Sequence, residues 1–255
     1  MSLLTSLLSE KKNRLCSIFF SAGFPEVNDT IKIIQELDAH GVDFIEVGLP
    51  YSDPMADGKT IQYSSAVALK NGVNLNIIFD QLKEVKGTIK TPLVLMGYLN
   101  QVLRYGEEKF CQLCQECSIE TVILPDLPMI EYENHYKALF AKYGISNVFL
   151  ITPQTSDERI RKIDEISDTF IYVVASSSIT GAKGEISQSQ IEYFNRIKAM
   201  GLKSTLIVGF GISSKSTFDT ACEYMNGAII GSAFVNFLKD KGINKIDQFV
   251  KGIIG

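Results

Sequence analysis

A glutamate inside an otherwise apolar segment is the first candidate for chemistry in this chain. Glu46 lies in the run Phe44-Ile-Glu46-Val-Gly48, and if Ile45 and Val47 face outward, its carboxyl group faces the interior of the sheet. Because burial disfavours an ionised carboxylate, the pKa of Glu46 is expected to rise, and the group could then move protons. The alternative is a structural glutamate paired with a buried Lys or Arg, although no strand supplies an obvious inward cation.

Two aspartates follow this glutamate in Pro50-Tyr-Ser-Asp53-Pro-Met-Ala-Asp57-Gly. A second carboxylate near the first could share the acid and base roles with it, because carboxylates in different environments titrate at different pH. Asp-Pro and Asp-Gly are also ordinary turn dipeptides. Spacing alone therefore leaves Asp53 and Asp57 equal, each as readily a turn former as a catalytic group.

Glycine-rich segments follow the sixth, seventh and eighth apolar runs of the chain. They are Thr180-Gly181-Ala-Lys-Gly184, Gly209-Phe-Gly211-Ile-Ser-Ser and Gly231-Ser232-Ala233. Backbone N–H groups in such turns, together with the helix N-termini that follow them, can bind anions. One glycine alone means little because turns need glycine, but the three positions together favour a phosphorylated substrate.

Other catalytic chemistries find little support in the residues. The two histidines, His40 and His135, lie in helix-like segments, which argues against a histidine metal site or a Ser-His-Asp triad. No GxGxxG follows the first apolar run, and no GxxxxGKS or GxxxxGKT is present. No lysine lies within a strand core, which argues against an aldolase that forms a Schiff base.

Eight short apolar runs, mostly continuous and rich in Val and Ile, must position these residues. Such runs are typical of strands that are buried on both faces of a parallel sheet. Because helix-like stretches alternate with them, we expect an α/β fold: a single (β/α)8 TIM-barrel domain over residues 1–255, with a short N-terminal helix. The expected strands are Cys16–Ala22, Val42–Gly48, Leu93–Gly97, Thr121–Pro125, Asn147–Thr152, Thr169–Ala175, Thr205–Gly209 and Gly227–Gly231.

Helical periodicity appears in six stretches between the strands. By contrast, Pro50–Asn76 shows no clear helix and is expected to be a long loop, which at the carboxyl end of a barrel strand is usually functional. The expected helices are Asp29–His40, Glu107–Cys117, Asn134–Tyr143, Asp157–Ile166, Ser187–Met200 and Ser214–Tyr224.

Composition and charge exclude several classes of protein. The 255 residues carry a net charge of −4 without a basic stripe, so no nucleic-acid partner is expected. No apolar run approaches the roughly 20 residues that a membrane span needs. The first residues also lack the pattern of an export signal, so the sequence predicts a soluble, cytoplasmic protein.

Three of the five cysteines, Cys111, Cys114 and Cys117, are closely spaced. Such a run can bind a metal ion, but a tetrahedral site would still lack a fourth ligand. Spacings of three and six residues also place the thiols on one helical face beside Phe110 and Leu113. We therefore favour buried, reduced thiols and expect no metal.

The segment Phe44–Gln62 closely resembles the signature of tryptophan synthase alpha chains. In that family the pattern runs approximately E-x-G-x-P-(F/Y)-S-D-P-x-A-D-G-x-x-I-Q, and this chain matches it with the same spacing. Further matches extend over nearly the whole chain. They are Ser21-Ala-Gly23-Phe-Pro25, Met96-Gly-Tyr98-Leu-Asn100, Pro125-Asp126-Leu-Pro128, Ile179-Thr180-Gly181 and Val208-Gly-Phe-Gly-Ile212.

The resemblance implies a role for each matching residue. Glu46 matches the family's catalytic glutamate, which moves protons at indole C3 and at the glycerol hydroxyl, and Asp57 matches the aspartate that holds the indole N–H. Pro50 and Asp53 match positions that contact a partner subunit. Positions that line the substrate site or bind its phosphate are matched by Phe19, Tyr172, Thr180, Gly181, Gly211, Gly231 and Ser232.

The resemblance also implies a reaction and a partner. The reaction is the retro-aldol cleavage of indole-3-glycerol phosphate to indole and glyceraldehyde 3-phosphate, without a metal or organic cofactor on this chain. Members of the family pass indole to a beta subunit that carries PLP. An α2β2 tetramer that completes tryptophan biosynthesis is therefore implied.

Three alternatives remain open. Another phosphate-binding barrel, such as an indole-glycerol-phosphate synthase or a phosphoribosyl isomerase, would be expected to carry a strand lysine or a different Asp/Cys pair. A non-catalytic activator of the beta subunit is not expected to keep both carboxylates. A free-standing lyase, which releases indole without a beta subunit, would fit one departure from the family pattern, Ala175-Ser-Ser-Ser178 in place of Ser-Arg-x-Gly. A second departure is Tyr63-Ser-Ser-Ala-Val67, where the family often has an Arg.

Overall fold

Eight parallel strands close into a barrel. The computed structural model describes residues 2–175, 187–209 and 211–255. The strands pair in chain order, and the last strand pairs with the first. The expected barrel and its eight strands are confirmed, close to the expected boundaries. The strands are β1 (Leu15–Ser21), β2 (Phe44–Gly48), β3 (Leu93–Met96), β4 (Thr121–Ile123), β5 (Ser146–Ile151), β6 (Phe170–Val174), β7 (Thr205–Gly209) and β8 (Gly227–Ile230).

Helices connect the strands and flank the barrel. A π-helical turn, Tyr132–Tyr136, precedes one of them, and a 3-10 turn, Ile243–Lys245, precedes the last. The helices are α1 (Leu3–Glu10), α2 (Asp29–Ala39), α3 (Lys59–Lys70), α4 (Leu75–Val85), α5 (Leu99–Tyr105), α6 (Glu107–Glu116), α7 (Met129–Glu131), α8 (Lys137–Lys142), α9 (Asp157–Ile166), α10 (Gln188–Ala199), α11 (Lys215–Tyr224), α12 (Ser232–Lys241) and α13 (Ile246–Ile254). No helix in the described ranges is long and apolar enough to cross a membrane.

The expectation of a long loop over Pro50–Asn76 is wrong, because helix α3 occupies its centre. The buried face of α3 consists of Ile61, Ser64, Ser65 and Ala68. Serine and alanine give a weak hydrophobic signal, so the helical periodicity is not visible in the sequence. The irregular segment after β2 is therefore confined to residues 49–58, which carry both aspartates.

A contact across the barrel identifies the side chains that face its interior. Phe44 of β2 and Phe170 of β6 bring their ring centroids to 5.4 Å, although their strands lie far apart in the strand order. Side chains two residues apart on a strand share a face. Glu46 and Tyr172, each two residues further along, therefore also face the interior, nearer the carboxyl ends of the strands.

The N-terminal helix and the three neighbouring cysteines belong to the packed core. Leu4 and Leu8 of α1 are buried, and the side chain of Ser2 caps the helix by accepting a hydrogen bond from the Thr5 N–H. Cys111, Cys114 and Cys117 are buried free thiols, as their place on an apolar helical face predicts. Burial raises the pKa of Cys114 well above its ordinary value, so this thiol stays protonated.

Candidate active site

Glu46 is a fully buried carboxyl group at the centre of the barrel. It lies in register with Phe19 on β1 and Val94 on β3. Burial raises the pKa of Glu46 to about 8, and the nearby Ser17 hydroxyl only partly offsets that rise. Within the described residues, neither carboxylate oxygen has a partner at full hydrogen-bond geometry. At neutral pH the group is therefore mostly protonated and able to donate a proton.

Asp57 lies above Glu46, in the segment that follows β2. Its Oδ2 accepts a 3.0 Å hydrogen bond from the hydroxyl of Tyr98, which follows β3. Burial raises the pKa of Asp57 above its ordinary value, and the hydrogen bond from Tyr98 opposes that rise. Burial and the negative charges of Glu46 and Asp57 raise the pKa of Tyr172, so both carboxyl groups lie near this tyrosine.

The segments after β2 and β3 are joined by several contacts that the sequence did not reveal. The rings of Tyr51 and Tyr98 stack with centroids 5.1 Å apart. The Asn100 amide donates a 2.8 Å hydrogen bond to the Tyr51 hydroxyl, and the Gln101 amide donates one of 2.9 Å to the Pro50 carbonyl. Together these contacts hold the segment that carries Asp57 against the end of β3.

Two glycines make room for the aromatic side chains at the mouth of the barrel. A Cβ atom on Gly48 would lie 2.5 Å from the ring of Phe19, and one on Gly209 would lie 2.0 Å from the hydroxyl of Tyr172. Both distances are far below van der Waals contact. The flat rings thus occupy space that any other residue at positions 48 and 209 would fill. Phe19 lines a small cleft at this mouth together with Asp57 and Tyr98.

The ends of β7 and β8 present backbone groups at the same mouth of the barrel. Gly211 adopts φ +83°, a left-handed conformation that favours glycine. Helix α11 is capped by its own Ser214 and Thr217 side chains. Helix α12, in contrast, begins at Ser232 after Gly231, which supplies no side-chain cap. Its first N–H groups are therefore available to an anion.

The remaining residues named from the sequence fall into two groups. Pro50 is buried, while Asp53 lies exposed in the same segment and accepts a 2.5 Å hydrogen bond from Ser52. The structure thus separates Asp53 from Asp57, which spacing left equal. Thr180 and Gly181, as well as the departure Ser176–Ser178, lie outside the described residues.

The described residues do not place a metal-binding cluster, a catalytic histidine or a strand lysine at this site. Those residues contain no group of three or more His, Cys, Asp or Glu side chains placed to hold a metal ion. His40 and His135 lie in or at the ends of helices and face Glu36 and Glu107, at 3.3 Å in each case. None of the eight described strands contains a lysine. The arrangement therefore favours proton transfer by carboxyl groups beside an aromatic cleft.

Comparison with known proteins identifies the family. The family model described as "Tryptophan synthase alpha chain" matches residues 4–252. The tryptophan synthase alpha chain of Flavobacterium johnsoniae is 54% identical over 250 residues, covering 98% of each chain. The chain belongs to the tryptophan synthase alpha chain family.

Solved structures of the family share the fold of this chain. A chain from the tryptophan synthase α2β2 complex of Pyrococcus furiosus superposes with a TM-score of 0.88 at 33% identity, covering 96% of this chain and 99% of that one. A chain of tryptophan synthase from M. tuberculosis gives 0.86 at 27% identity, with 99% and 98% covered. The expected family and barrel are thus confirmed.

Proposed function

We propose that this protein cleaves indole-3-glycerol phosphate to indole and glyceraldehyde 3-phosphate. The observation that carries the proposal is the fully buried Glu46, whose pKa of about 8 keeps it protonated at neutral pH beside an aromatic cleft. Membership of the tryptophan synthase alpha chain family supports the same reaction. The protein is accordingly a carbon–carbon lyase of tryptophan biosynthesis, and we place it in the cytoplasm.

Glu46 can serve both proton transfers of this reaction. Protonated Glu46 donates to indole C3, which makes the ring an indoleninium cation and leaves a buried carboxylate. That carboxylate accepts the proton of the hydroxyl on the adjacent glycerol carbon as the C3–carbon bond breaks. The bonding electrons return to the ring, the hydroxyl carbon becomes the aldehyde, and Glu46 is protonated again. The cycle needs no net oxidant, reductant or proton.

Asp57 supplies the charge that the first transfer requires. As C3 takes up the proton, positive charge develops at the indole N–H, and an ionised Asp57 that accepts a hydrogen bond from this N–H stabilises it. The hydrogen bond from Tyr98 keeps the Asp57 carboxylate fixed before substrate arrives. Glu46 therefore transfers the protons, and Asp57 stabilises the positive charge.

The other site residues hold the substrate. Phe19 and Tyr172 flank the carboxylates, and their rings pack against the flat indole. The N–H groups at Gly231 and Ser232 begin the uncapped helix α12 and bind the phosphate together with Gly211. From the resemblance we assign Gly181 to the phosphate as well, and Thr180 to the positioning of Asp57.

We propose that the chain carries no cofactor of its own. Both steps are proton transfers within reach of carboxyl groups, and the ring itself accepts the electrons of the breaking bond. PLP, in this proposal, belongs to a beta subunit that consumes the indole.

The proposed partner is that beta subunit, in an α2β2 tetramer. Large apolar side chains are exposed after three consecutive strands at the mouth: Met55 (92% exposed), Leu103 (52%) and Ile130 (63%). Exposed apolar side chains grouped in this way favour a protein contact. Asp53 is exposed in the same segment as Met55 and extends this surface, whereas Pro50 is buried at the start of that segment.

The test is an assay of indole release by wild-type chain and by Glu46→Gln, with and without a beta subunit. We expect weak activity alone and strong activation by the partner, since partner binding commonly completes such sites. Glu46→Gln should lose nearly all turnover while it still binds substrate. Retention of more than about a tenth of wild-type kcat, a loss of only ~1.4 kcal/mol, would contradict the role of Glu46.

The same assay separates the free-standing lyase from the partner-dependent enzyme. Full activity without a beta subunit would favour the free-standing lyase, in keeping with the departures at Ser176–Ser178. Asp53→Asn is the matched control, because Asp53 is exposed outside the cleft. It should leave the activity of the isolated chain unchanged.

A further inference from the structure

Ser17 is a second buried polar residue in the barrel interior, on the strand next to Glu46. It is fully buried on β1 and lies in register with Phe44, two residues before Glu46 on β2. Because Phe44 faces the interior, its register neighbour Ser17 does so too. Ser17 therefore lies below Glu46, on the side away from the mouth through which substrate enters.

Three oxygen atoms in this small region have no partner at full hydrogen-bond geometry among the described residues. They are the hydroxyl of Ser17 and both carboxyl oxygens of Glu46. Buried polar groups in proteins are nearly always hydrogen-bonded, so an unpartnered pair on adjacent strands needs an explanation. The explanation that fits proton transfer is a contact that tightens in one step of the reaction and is loose in the resting state.

We propose that Ser17 is a positioning residue that donates a hydrogen bond to the Glu46 carboxylate while Glu46 lacks its proton. The inference rests on the proposed function, since in that cycle Glu46 becomes a buried carboxylate at each turnover. A protonated Glu46 has less need of a donor, which agrees with the loose contact of the resting state. The hydroxyl thus stabilises the ionised intermediate more than the starting acid, which is the condition for a faster chemical step.

Among the described residues around Glu46, Ser17 is the hydrogen-bond donor that lies below it. The register neighbours of Glu46 are Phe19 and Val94, which are apolar. Asp57, as a carboxylate, cannot donate. The Tyr172 hydroxyl lies against Gly209 at the end of β7, towards the mouth. These are the titratable groups that face Glu46 from the segment after β2 and from β6, and none of them occupies the position of Ser17.

The experiment combines a titration of Glu46 with kinetics on Ser17→Ala and Ser17→Thr. NMR of glutamate carboxyl carbons labelled with 13C, with Glu46→Gln to assign the signal, reads the pKa of Glu46 directly. Without the hydroxyl, the pKa of Glu46 should rise by about half a pH unit or more. In Ser17→Ala, kcat should fall roughly three- to tenfold, with KM within about twofold of wild type. Ser17→Thr, which keeps the hydroxyl, should restore both.

A matched control is Thr121→Val. Thr121 on β4 is another buried hydroxyl without a partner among the described residues, but a whole strand separates it from Glu46. This variant should leave the pKa of Glu46 unchanged. Thermal unfolding of all variants verifies that each one folds. An unchanged Glu46 titration in folded Ser17→Ala would overturn the inference.

The outcomes distinguish this inference from the proposed function. If Glu46→Gln stays active, the proposed role of Glu46 fails, and Ser17 then has no ionised intermediate to stabilise. If Glu46→Gln is inactive but Ser17→Ala changes neither the titration nor kcat, only the role of Ser17 fails. If Ser17→Ala changes the pKa of Glu46 but not kcat, Ser17 and Glu46 are in contact, but the contact has no part in turnover. That result also overturns the inference.

Discussion

Tyr98 donates a 3.0 Å hydrogen bond from its hydroxyl to Oδ2 of Asp57, although 41 residues separate the two in sequence. The same hydroxyl accepts a 3.0 Å hydrogen bond from the backbone N–H of Ala56. One side chain at the end of β3 thus fixes both the Asp57 carboxyl group and the backbone that carries it. Burial and the charge of Asp57 raise the pKa of Tyr98, which keeps this hydroxyl a donor at any working pH.

Tyr98→Phe should therefore weaken catalysis without removing either carboxylate. We expect kcat/KM to fall about tenfold, the loss typical of one hydrogen bond to a charged group. The pKa of Asp57 should rise further, because the hydrogen bond that opposes the rise is lost. The acidic limb of the pH profile of kcat/KM should accordingly move to higher pH.

Tyr105→Phe is the control for this substitution. Its hydroxyl donates a 2.5 Å hydrogen bond to Asn76 in the first turn of α4, and not to Asp57. It should leave the acidic limb where it is. If the acidic limb of the kcat/KM profile stays unchanged in Tyr98→Phe, Tyr98 does not hold Asp57.

The pH dependence of kcat/KM should be bell-shaped. Asp57 must be ionised to stabilise the indole N–H, so activity should rise with pH through its raised pKa. Glu46 must be protonated to donate to C3, and its pKa is about 8, so activity should fall as pH rises through that region. Steady-state assays from pH 5 to pH 10 test both limbs. Activity that still climbs from pH 8 to pH 10 would exclude Glu46 as the initial acid.

The sequence predicts the strands well because each one is buried on both faces. Continuous apolar runs such as Phe170–Val174 need no periodicity to be recognised. Helix α3 is missed for the opposite reason, since Ser64, Ser65 and Ala68 cover its buried face and give little hydrophobic contrast. The burial of Glu46 is predictable because a residue in a strand that is covered on both faces is buried whichever face its side chain is on.

The contacts between loops could not be predicted, because they depend on how separate strand ends meet in the closed barrel. Tyr98 bonds to Asp57 through tertiary geometry alone, and no local pattern marks it. In the sequence, Gly209 likewise resembles an ordinary turn glycine. The structure shows that it provides space for the ring of Tyr172. The strands determine which residues lie at the mouth of the barrel. The distances between those residues depend on how the barrel closes.

Gly209→Ala should disable the site by steric conflict. A Cβ atom there would lie 2.0 Å from the Tyr172 hydroxyl and 2.3 Å from Cζ, so the ring must move into the cleft beside Glu46. We expect kcat/KM to fall by about a hundredfold or more, since small displacements in a site have such effects. Indole-release kinetics measure the loss. Gly252→Ala, where a Cβ atom meets nothing within 4 Å, is the control and should remain fully active.

The exposed apolar surface at the mouth should bind the beta subunit. Leu103→Asp and Ile130→Asp place a charge on side chains that are 52% and 63% exposed. Each substitution should weaken the complex by at least about tenfold in Kd, the loss expected when an apolar anchor is replaced by a charge. Calorimetric titration with the beta subunit measures the change, and activity of the isolated chain should persist.

Leu3→Asp is the matched control for these two variants. Leu3 is 55% exposed but lies on the N-terminal helix, away from the strand ends that carry the cleft. Its affinity for the beta subunit should equal that of wild type. Equal weakening by all three substitutions would place the interface elsewhere.

Glu46 should also make the stability of the protein depend on pH. In the unfolded chain its carboxyl group has the ordinary glutamate pKa of 4.5, whereas burial holds the folded-state pKa at about 8. A folded-state pKa above the unfolded one favours the native state at low pH, and this contribution is lost as pH rises from about 4.5 to 8. The loss amounts to several kcal/mol, because each pH unit of difference is worth about 1.4 kcal/mol.

Glu46→Gln removes this dependence, since an amide does not titrate. Urea unfolding at pH 5 and pH 8 should show a large loss of stability in wild type and a much smaller one in the variant. Comparing the two pH values within each protein cancels the penalty of a buried, unpartnered amide. The difference that remains in the variant comes from groups such as Asp57, whose raised pKa acts in the same direction. Parallel losses in both proteins would mean that Glu46 is not buried as a neutral acid, and the proton donor of the proposed reaction would have to be another group.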